Sequence, residues 1–237
     1  MPPDEPFEST RWSLILAARD RGSSEARTAL GELCRAYWYP LYAYIRHRGH
    51  DHDSAEDLTQ TFFARLLESN DLAHVDRSKG KFRAFLLAAC THFLANERDR
   101  QRARKRGGDR NFLSIDCADA ERCYGLEPSH RLTPEALFTR RWAMTLLDQT
   151  IDDLRAEFTR AGQRERFEAL KPTLTGDRVP YADLATRLGT TVGAVQVAVH
   201  RLRQRYREAL RARIAATVDD PAQIDDEIRD LFTALSS

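Results

Sequence analysis

Between Val192 and Leu210 one helical face carries Gly193, Val197, His200 and Gln204, flanked by Gln196 and Arg201. Amide, imidazole and guanidinium groups spaced this way can bond base edges in a major groove, where an apolar side chain such as Val197 can meet a thymine methyl. Arg203, Arg205, Arg207, Arg211 and Arg213 follow closely and suit phosphates. A solvated arginine face on an ordinary helical hairpin would have the same composition, so position must decide between them.

The elements that would hold this face are legible. Tyr181, Leu184, Ala185 and Leu188 recur at i, i+3, i+4 and i+7, the stripe of an amphipathic helix. Gly189 ends that helix, and Thr191 is placed to cap the next. Val192, Val195, Val199, Leu202 and Tyr206 then form the inner face of a second helix. Two short helices joined by a glycine-containing turn are a helix-turn-helix, whose second helix enters the major groove.

Catalytic chemistry has no comparable array. The chain has no phosphate-cradling glycine loop, no HExxH, and no Ser or Cys nucleophile framed by a His and an acid, so no enzyme activity and no cofactor are expected. Cys34, Cys90, Cys117 and Cys123 are scattered. Cys117 and Cys123 with His130 match no zinc spacing, so reduced structural thiols are expected rather than a metal site. No apolar run approaches membrane-spanning length, and the start MPPDEPFEST lacks signal-peptide character, which predicts a cytoplasmic location. The formal net charge is only +1, because the basic clusters Arg98–Arg110 and Arg201–Arg213 are offset by an acidic tail. An autonomous DNA binder usually draws on a larger basic excess, so weak binding alone and engagement within a larger complex are expected.

Taken in order, a first helix is predicted over residues 9–21 and a second from Glu25 to Arg48, kinked or split at Pro40. The aromatics Tyr37, Trp38, Tyr39, Tyr42 and Tyr44 read as core. Asp53, with Glu56 three residues on, is the expected cap of a helix burying Leu58, Phe62, Phe63 and Leu66. Its other face aligns Asp57, Gln60, Thr61 and Ala64. A polar loop at 71–81 leads to a long helix from Phe82, with Phe85, His92 and Asn96 on one flank and arginines, Arg98 and Arg100 among them, beyond its apolar stripe. Residues 109–133 read as a linker. Thr133-Pro134-Glu135 starts a long amphipathic helix ending near Gly162. Asp220-Pro221 starts a last helix with the stripe Ile224, Ile228, Leu231, Phe232 and Leu235. No strand-type alternation appears, so the expected fold is all-α: two small helical domains joined by a linker, the second containing the helix-turn-helix. The expected limits are 1–108, 109–133 (linker), 134–216, and an acidic tail at 217–237.

Three stretches together resemble bacterial sigma factors of the extracytoplasmic-function (ECF) branch. SAEDLTQTFFARLLE resembles the helix with which sigma domain 2 grips the β′ clamp helices of RNA polymerase. KFRAFLLAACTHFLANERDRQRARKR resembles the helix that opens and reads the −10 element, and the stretch from Tyr181 to Arg213 resembles the −35-reading half of sigma domain 4. Carried over by position, the resemblance implies a polymerase contact through Asp57, Gln60 and Phe63, with Thr61 where an acid often stands. His92 and Asn96 fall where −10 bases are contacted, with Arg98 and Arg100 beyond them, and the loop ending at Lys81 is where a flipped base would be held. For the −35 element the implied set is Thr191, Gln196, Val197, His200, Arg201 and Gln204. The implied partners are core RNA polymerase (β′ clamp helices and β subunit) and promoter DNA, and the branch also admits an anti-sigma factor. Phe85 replaces a usual tryptophan, His92 and Asn96 stand where Asn and Asp are frequent, and Gln196, Val197 and Ala198 replace a common Lys/Arg–Ser–Arg, so neither promoter sequence carries over.

Two other readings remain at this level: a stand-alone helix-turn-helix regulator, and a DNA-processing enzyme, for which the nucleophile is missing. The tail has two readings of its own. It either extends the core of the C-terminal domain or covers that domain's DNA-reading face.

Overall fold

In the computed structural model the described residues are 24–68, 81–103, 124, 132–176, 178–215, 217–218 and 220–236. Among them every regular element is helical, as expected. The α-helices are α1 (Ser24–His47), α2 (His52–Glu68), α3 (Phe82–Ala103), α4 (Pro134–Arg160), α5 (Arg164–Leu170), α6 (Tyr181–Arg187), α7 (Val192–Ala215) and α8 (Ile224–Ser236). Short 3-10 turns at Lys171–Thr173 and Pro221–Gln223 complete the set. The helix expected at 9–21, the loop 71–80 and most of the linker 109–133 lie outside the described residues, as do Cys117, Cys123 and His130.

The described chain forms two compact units, Met1–Thr145 with Ala215–Ser237, and Leu146–Ile214. The second domain was expected to begin at residue 134. The division falls instead inside α4, because one amphipathic helix supplies apolar residues to both cores. The acidic tail groups with the first unit, against the expectation that it would extend or cover the second.

In unit 1 the aromatic cluster of α1 is core. Tyr37, Trp38, Tyr42 and Tyr44 are buried with Phe62 and Phe63 of α2, Phe82 and Leu86 of α3, and Phe138 and Trp142 of α4. A buried Tyr or Trp is costly unless its polar tip is bonded, and most of these are. Trp142 Nε1 donates to the Tyr37 hydroxyl (3.2 Å), and the Tyr44 hydroxyl meets Thr91 Oγ1 (2.8 Å) while accepting from Arg48 (2.7 Å). The Tyr42 hydroxyl lies 2.8 Å from His52 Nδ1. Pro40 sits inside α1, which continues as one helix through it. The cap of α2 is Asp51, whose Oδ1 accepts from Ser54 N at 2.8 Å, and not Asp53. Asp53 lies inside the first turn of α2, whereas Asp51 stands just before it, after the turn at Gly49 (φ +92°). That backbone bond holds the Asp51 carboxyl below its usual range.

Burial inactivates the described thiols. It pushes half-buried Cys34 up to about 11 and buried Cys90 up to about 12, so neither forms thiolate near neutrality.

Unit 2 packs Ile151 and Leu154 of α4 with Phe167 and Leu170 of α5, Leu184 and Ala185 of α6, and Val195, Val199 and Leu202 of α7. Its helix ends follow local chemistry. Gly162 (φ +68°) closes α4 with the Gln163 N–H on the Phe158 carbonyl. Gly189 (φ +60°) closes α6 with the Thr190 N–H on the Ala185 carbonyl, a bond that needs the left-handed residue between. Thr133 and Thr191 cap α4 and α7 through their hydroxyls, each 3.2 Å from the backbone nitrogen three residues on.

Candidate nucleic-acid and polymerase interface

In unit 1 the rotation of α2 is set by buried Leu58, Phe62 and Leu66. This leaves Asp57 exposed, with Gln60 and Thr61 half-exposed beside it. Gln60 Nε2 donates to Glu56 Oε1 at 3.0 Å, an i,i+4 pair that orders the row. Phe63 does not join it: it is buried, edge-on to Phe62 at 5.7 Å. Its physical role is to fix the helix that presents the other three.

The rotation of α3 is fixed from two sides. Thr91 is tied to Tyr44, and Glu97 is paired with Arg65 of α2 at 2.6 Å, with the Arg65 guanidinium over the Phe93 ring. His92, Asn96, Arg98 and Arg100 are thereby turned outward and exposed. Arg100 leans on Glu97 (3.1 Å), whereas His92, Asn96 and Arg98 have no hydrogen bond or ion pair among the described residues. Phe85 is half-buried, tilted against Phe82.

Lys81, immediately before α3, is placed differently. Its ammonium contacts Glu227 (2.6 Å) and Asp230 of α8. Arg83 joins the same carboxylates, with Nε 2.6 Å from Glu227 and Nη2 2.7 Å from Asp230, and its guanidinium lies over the Trp142 ring at 4.9 Å. Glu227 is buried, so this charge is bearable only because both cations face it. The bond from Lys81 holds the Asp230 carboxyl below its usual range. Burial would lower Lys81, but its bonds to Asp230 and Glu227 outweigh that and hold it above its ordinary value. The Asp230 contribution is complete above an ordinary carboxylate pKa of about 3.9 and is lost as pH falls through the depressed value. The Lys81 contribution is complete below about 10.4 and is lost as pH rises through the raised one. Hydrogen-exchange protection of the α8 amides is therefore expected to be flat from about pH 5 to 9 and to fall only below about pH 4. Loss of protection already between pH 7 and 5 would refute this account.

In unit 2, buried Val195, Val199 and Leu202 turn the opposite side of α7 to solvent. Burial also pushes the half-buried Tyr206 hydroxyl up to about 12. Thr191, Gln196, Val197, His200, Arg201 and Gln204 are all exposed, Val197 at 51%. Thr191 spends its hydroxyl on the cap and Gln204 donates to Glu208 (3.0 Å). Gln196, His200 and Arg201 make no hydrogen bond or ion pair among the described residues, so no internal contact competes for them. Val192, read as inner face, is 43% exposed, because the first turn of α7 projects past the core.

The arginines divide in a way that spacing did not reveal. Arg203 donates to the Thr173 carbonyl (3.0 Å), Arg205 pairs with Glu157, and Arg213 holds Gln149 (2.9 Å) and Asp153. These three join α7 to the rest of unit 2, while Arg207 makes no such bond. Sequence reasoning also missed a second basic group. Arg164, Arg166 and Arg187 line a concave surface with Gly189, Thr190 and the first turns of α7. All three are exposed and have no bonded partner among the described residues. Arg164 and Arg166 lie in the run GQRERF, in a stretch whose sequence reads as a short helix, and Arg187 in the last turn of α6, so no single motif groups them.

No metal-holding group of His, Cys, Asp or Glu occurs among the described residues, and none of the described helices is long and apolar enough to cross a membrane. Comparison with curated proteins and with solved structures returned no match. The family model for "ECF sigma factor" matches residues 13–212, which takes in α1 to α6 and most of α7 and stops short of α8. ECF sigma factors act in transcription initiation with RNA polymerase and promoter DNA as partners, and are regulators rather than enzymes. With residues 13–212 matched and an all-helical fold beneath them, the chain belongs to the ECF sigma factor family.

Proposed function

We propose that this sigma factor docks on the β′ clamp helices through the exposed flank of α2, reads single-stranded −10 DNA with α3, and reads the −35 duplex with α7 of a helix-turn-helix. Promoter melting is driven by capture of non-template bases, without nucleotide hydrolysis: a pocket that receives a flipped base offsets the few kcal/mol of unstacking. The observation that carries this reading is the pair of uncommitted polar rows, His92, Asn96 and Arg98 on α3 and Gln196, His200 and Arg201 on α7. Both rows stay outward although neighbouring arginines are recruited into ion pairs. The net charge of +1 supports dependence on polymerase, because a protein that binds DNA unaided usually draws on a larger basic excess.

Replacing Asp57 and Gln60 together with alanine tests the docking face. Both are surface positions, so folding stability should stay within about 1 kcal/mol. Affinity for core polymerase should fall roughly tenfold or more, the loss expected for polar groups at an interface centre. Unchanged capture of β′ by the double variant would remove the assignment. Gel-shift with and without core polymerase separates this reading from a stand-alone regulator, which would bind its duplex tightly without polymerase.

A further inference from the structure

Helix α8 lies outside the matched family region, yet its carboxylates are set on Lys81, which ends the loop where the resemblance implies that a flipped −10 base is held. The ion-pair cluster has two layers. The inner one is Arg83 with Glu227, their side chains 13% and 1% exposed, and Trp142 stacked beneath the guanidinium. The outer one is Lys81 with Asp230, 26% and 48% exposed, and it is tied to the inner one by Lys81 on Glu227 (2.6 Å) and Arg83 on Asp230 (2.7 Å). A buried pair resists exchange, because breaking it strands a charge away from water. A half-exposed pair is held less firmly and is more open to a competing anion.

We infer that α8 is an internal competitor for DNA: Asp230 occupies Lys81 in the free protein, and a phosphate of the single-stranded −10 region takes its place, while Arg83 and Glu227 keep the helix anchored. The inference rests on the proposed −10 reading, because it needs Lys81 to be a DNA contact. Exchange of one anion for another leaves Lys81 paired in both states. The competition therefore appears as a lower apparent affinity for DNA and not as a change of fold. Apolar anchoring by Ile224 and Leu231, both buried, holds α8 in place during the exchange.

The test uses the full chain and a fluorescent single-stranded oligothymidylate, with binding followed by anisotropy across a salt series. Asp230→Asn keeps the shape of the side chain and removes the competing charge. It should raise affinity at low salt roughly three- to tenfold, and the gain should shrink as salt rises, because salt also screens the Asp230–Lys81 pair. Asp226→Asn, an equal charge change on the same helix at a residue paired with Arg229 and not with Lys81, should produce neither effect. Lys81→Ala should weaken binding and abolish the gain from Asp230→Asn when the two are combined. A gain equal to that of Asp226→Asn, or one that survives Lys81→Ala, overturns the inference. If Lys81→Ala weakens binding but Asp230→Asn is neutral, the −10 reading stands and the competition does not. If Lys81→Ala has no effect in either background, the −10 contact itself is wrong and the inference falls with it.

Discussion

Trp142→Ala is expected to lower stability by about 3–5 kcal/mol. Trp142 is fully buried, its Nε1 donates to Tyr37, and its ring carries the Arg83 guanidinium on one face. Truncation removes a large apolar volume, leaves the Tyr37 hydroxyl without this donor, and strips the support from an arginine that balances buried Glu227. For a chain of this size that loss corresponds to a fall in melting temperature of roughly 10 °C or more. Trp142→Phe separates the contributions: it keeps an aromatic face for Arg83 and gives up the Nε1–H bond and part of the volume, so it should cost only about 1–2 kcal/mol. Thermal unfolding followed by circular dichroism checks both. An alanine variant that melts within about 2 °C of the parent would mean that the site collapses around the loss.

Gln196→Arg is expected to change what is read rather than whether the protein folds. The side chain is exposed and uncommitted on α7, so stability should move by less than about 0.5 kcal/mol. A glutamine amide can bond adenine N6 and N7 together, whereas arginine favours guanine O6 and N7. Preference at one −35 position should shift from A toward G by about 1–3 kcal/mol, roughly tenfold or more in relative occupancy. Selection from randomised −35 sequences by the holoenzyme reads this out. Identical logos for parent and variant would place Gln196 away from the bases.

Local chemistry made much of the fold legible. Thr133, Thr191 and Asp220 could be read as caps because each side chain bonds a backbone nitrogen two or three residues away, within the span a sequence window covers. Gly162 and Gly189 were readable as stops for the same reason. The outward rows on α3 and α7 followed from periodicity, since the buried stripe determines the exposed one. Legibility ended where partners are distant. Arg203, Arg205, Arg207 and Arg213 look alike in the chain, and only the fold assigns three of them to Thr173, Glu157 and Asp153. Phe232 sits in the apolar stripe of α8 but is 55% exposed, because the stripe is wider than the surface it covers. Choosing between Asp51 and Asp53 as a cap needed the position at which α2 begins. The ion pairs of Lys81 were not readable from the sequence, because its partners are 146 and 149 positions away.

The order of the units along the chain bears on how the protein is made and how it fails. Unit 2 is one continuous stretch, whereas unit 1 is written in two instalments on either side of it. Ribosomal synthesis runs from the N-terminus at about 5–20 residues per second, so unit 2 has its whole sequence before α8 has been translated. Through that interval the nascent unit 1 holds Arg83 without Glu227, and the apolar surface later covered by Ile224 and Leu231 is open to water and to chaperones. A stop codon or frameshift just past Ile214 would leave every residue of unit 2 in place. Its lesion would appear at the opposite end of the reading frame, in the unit built around α1, α2 and α3.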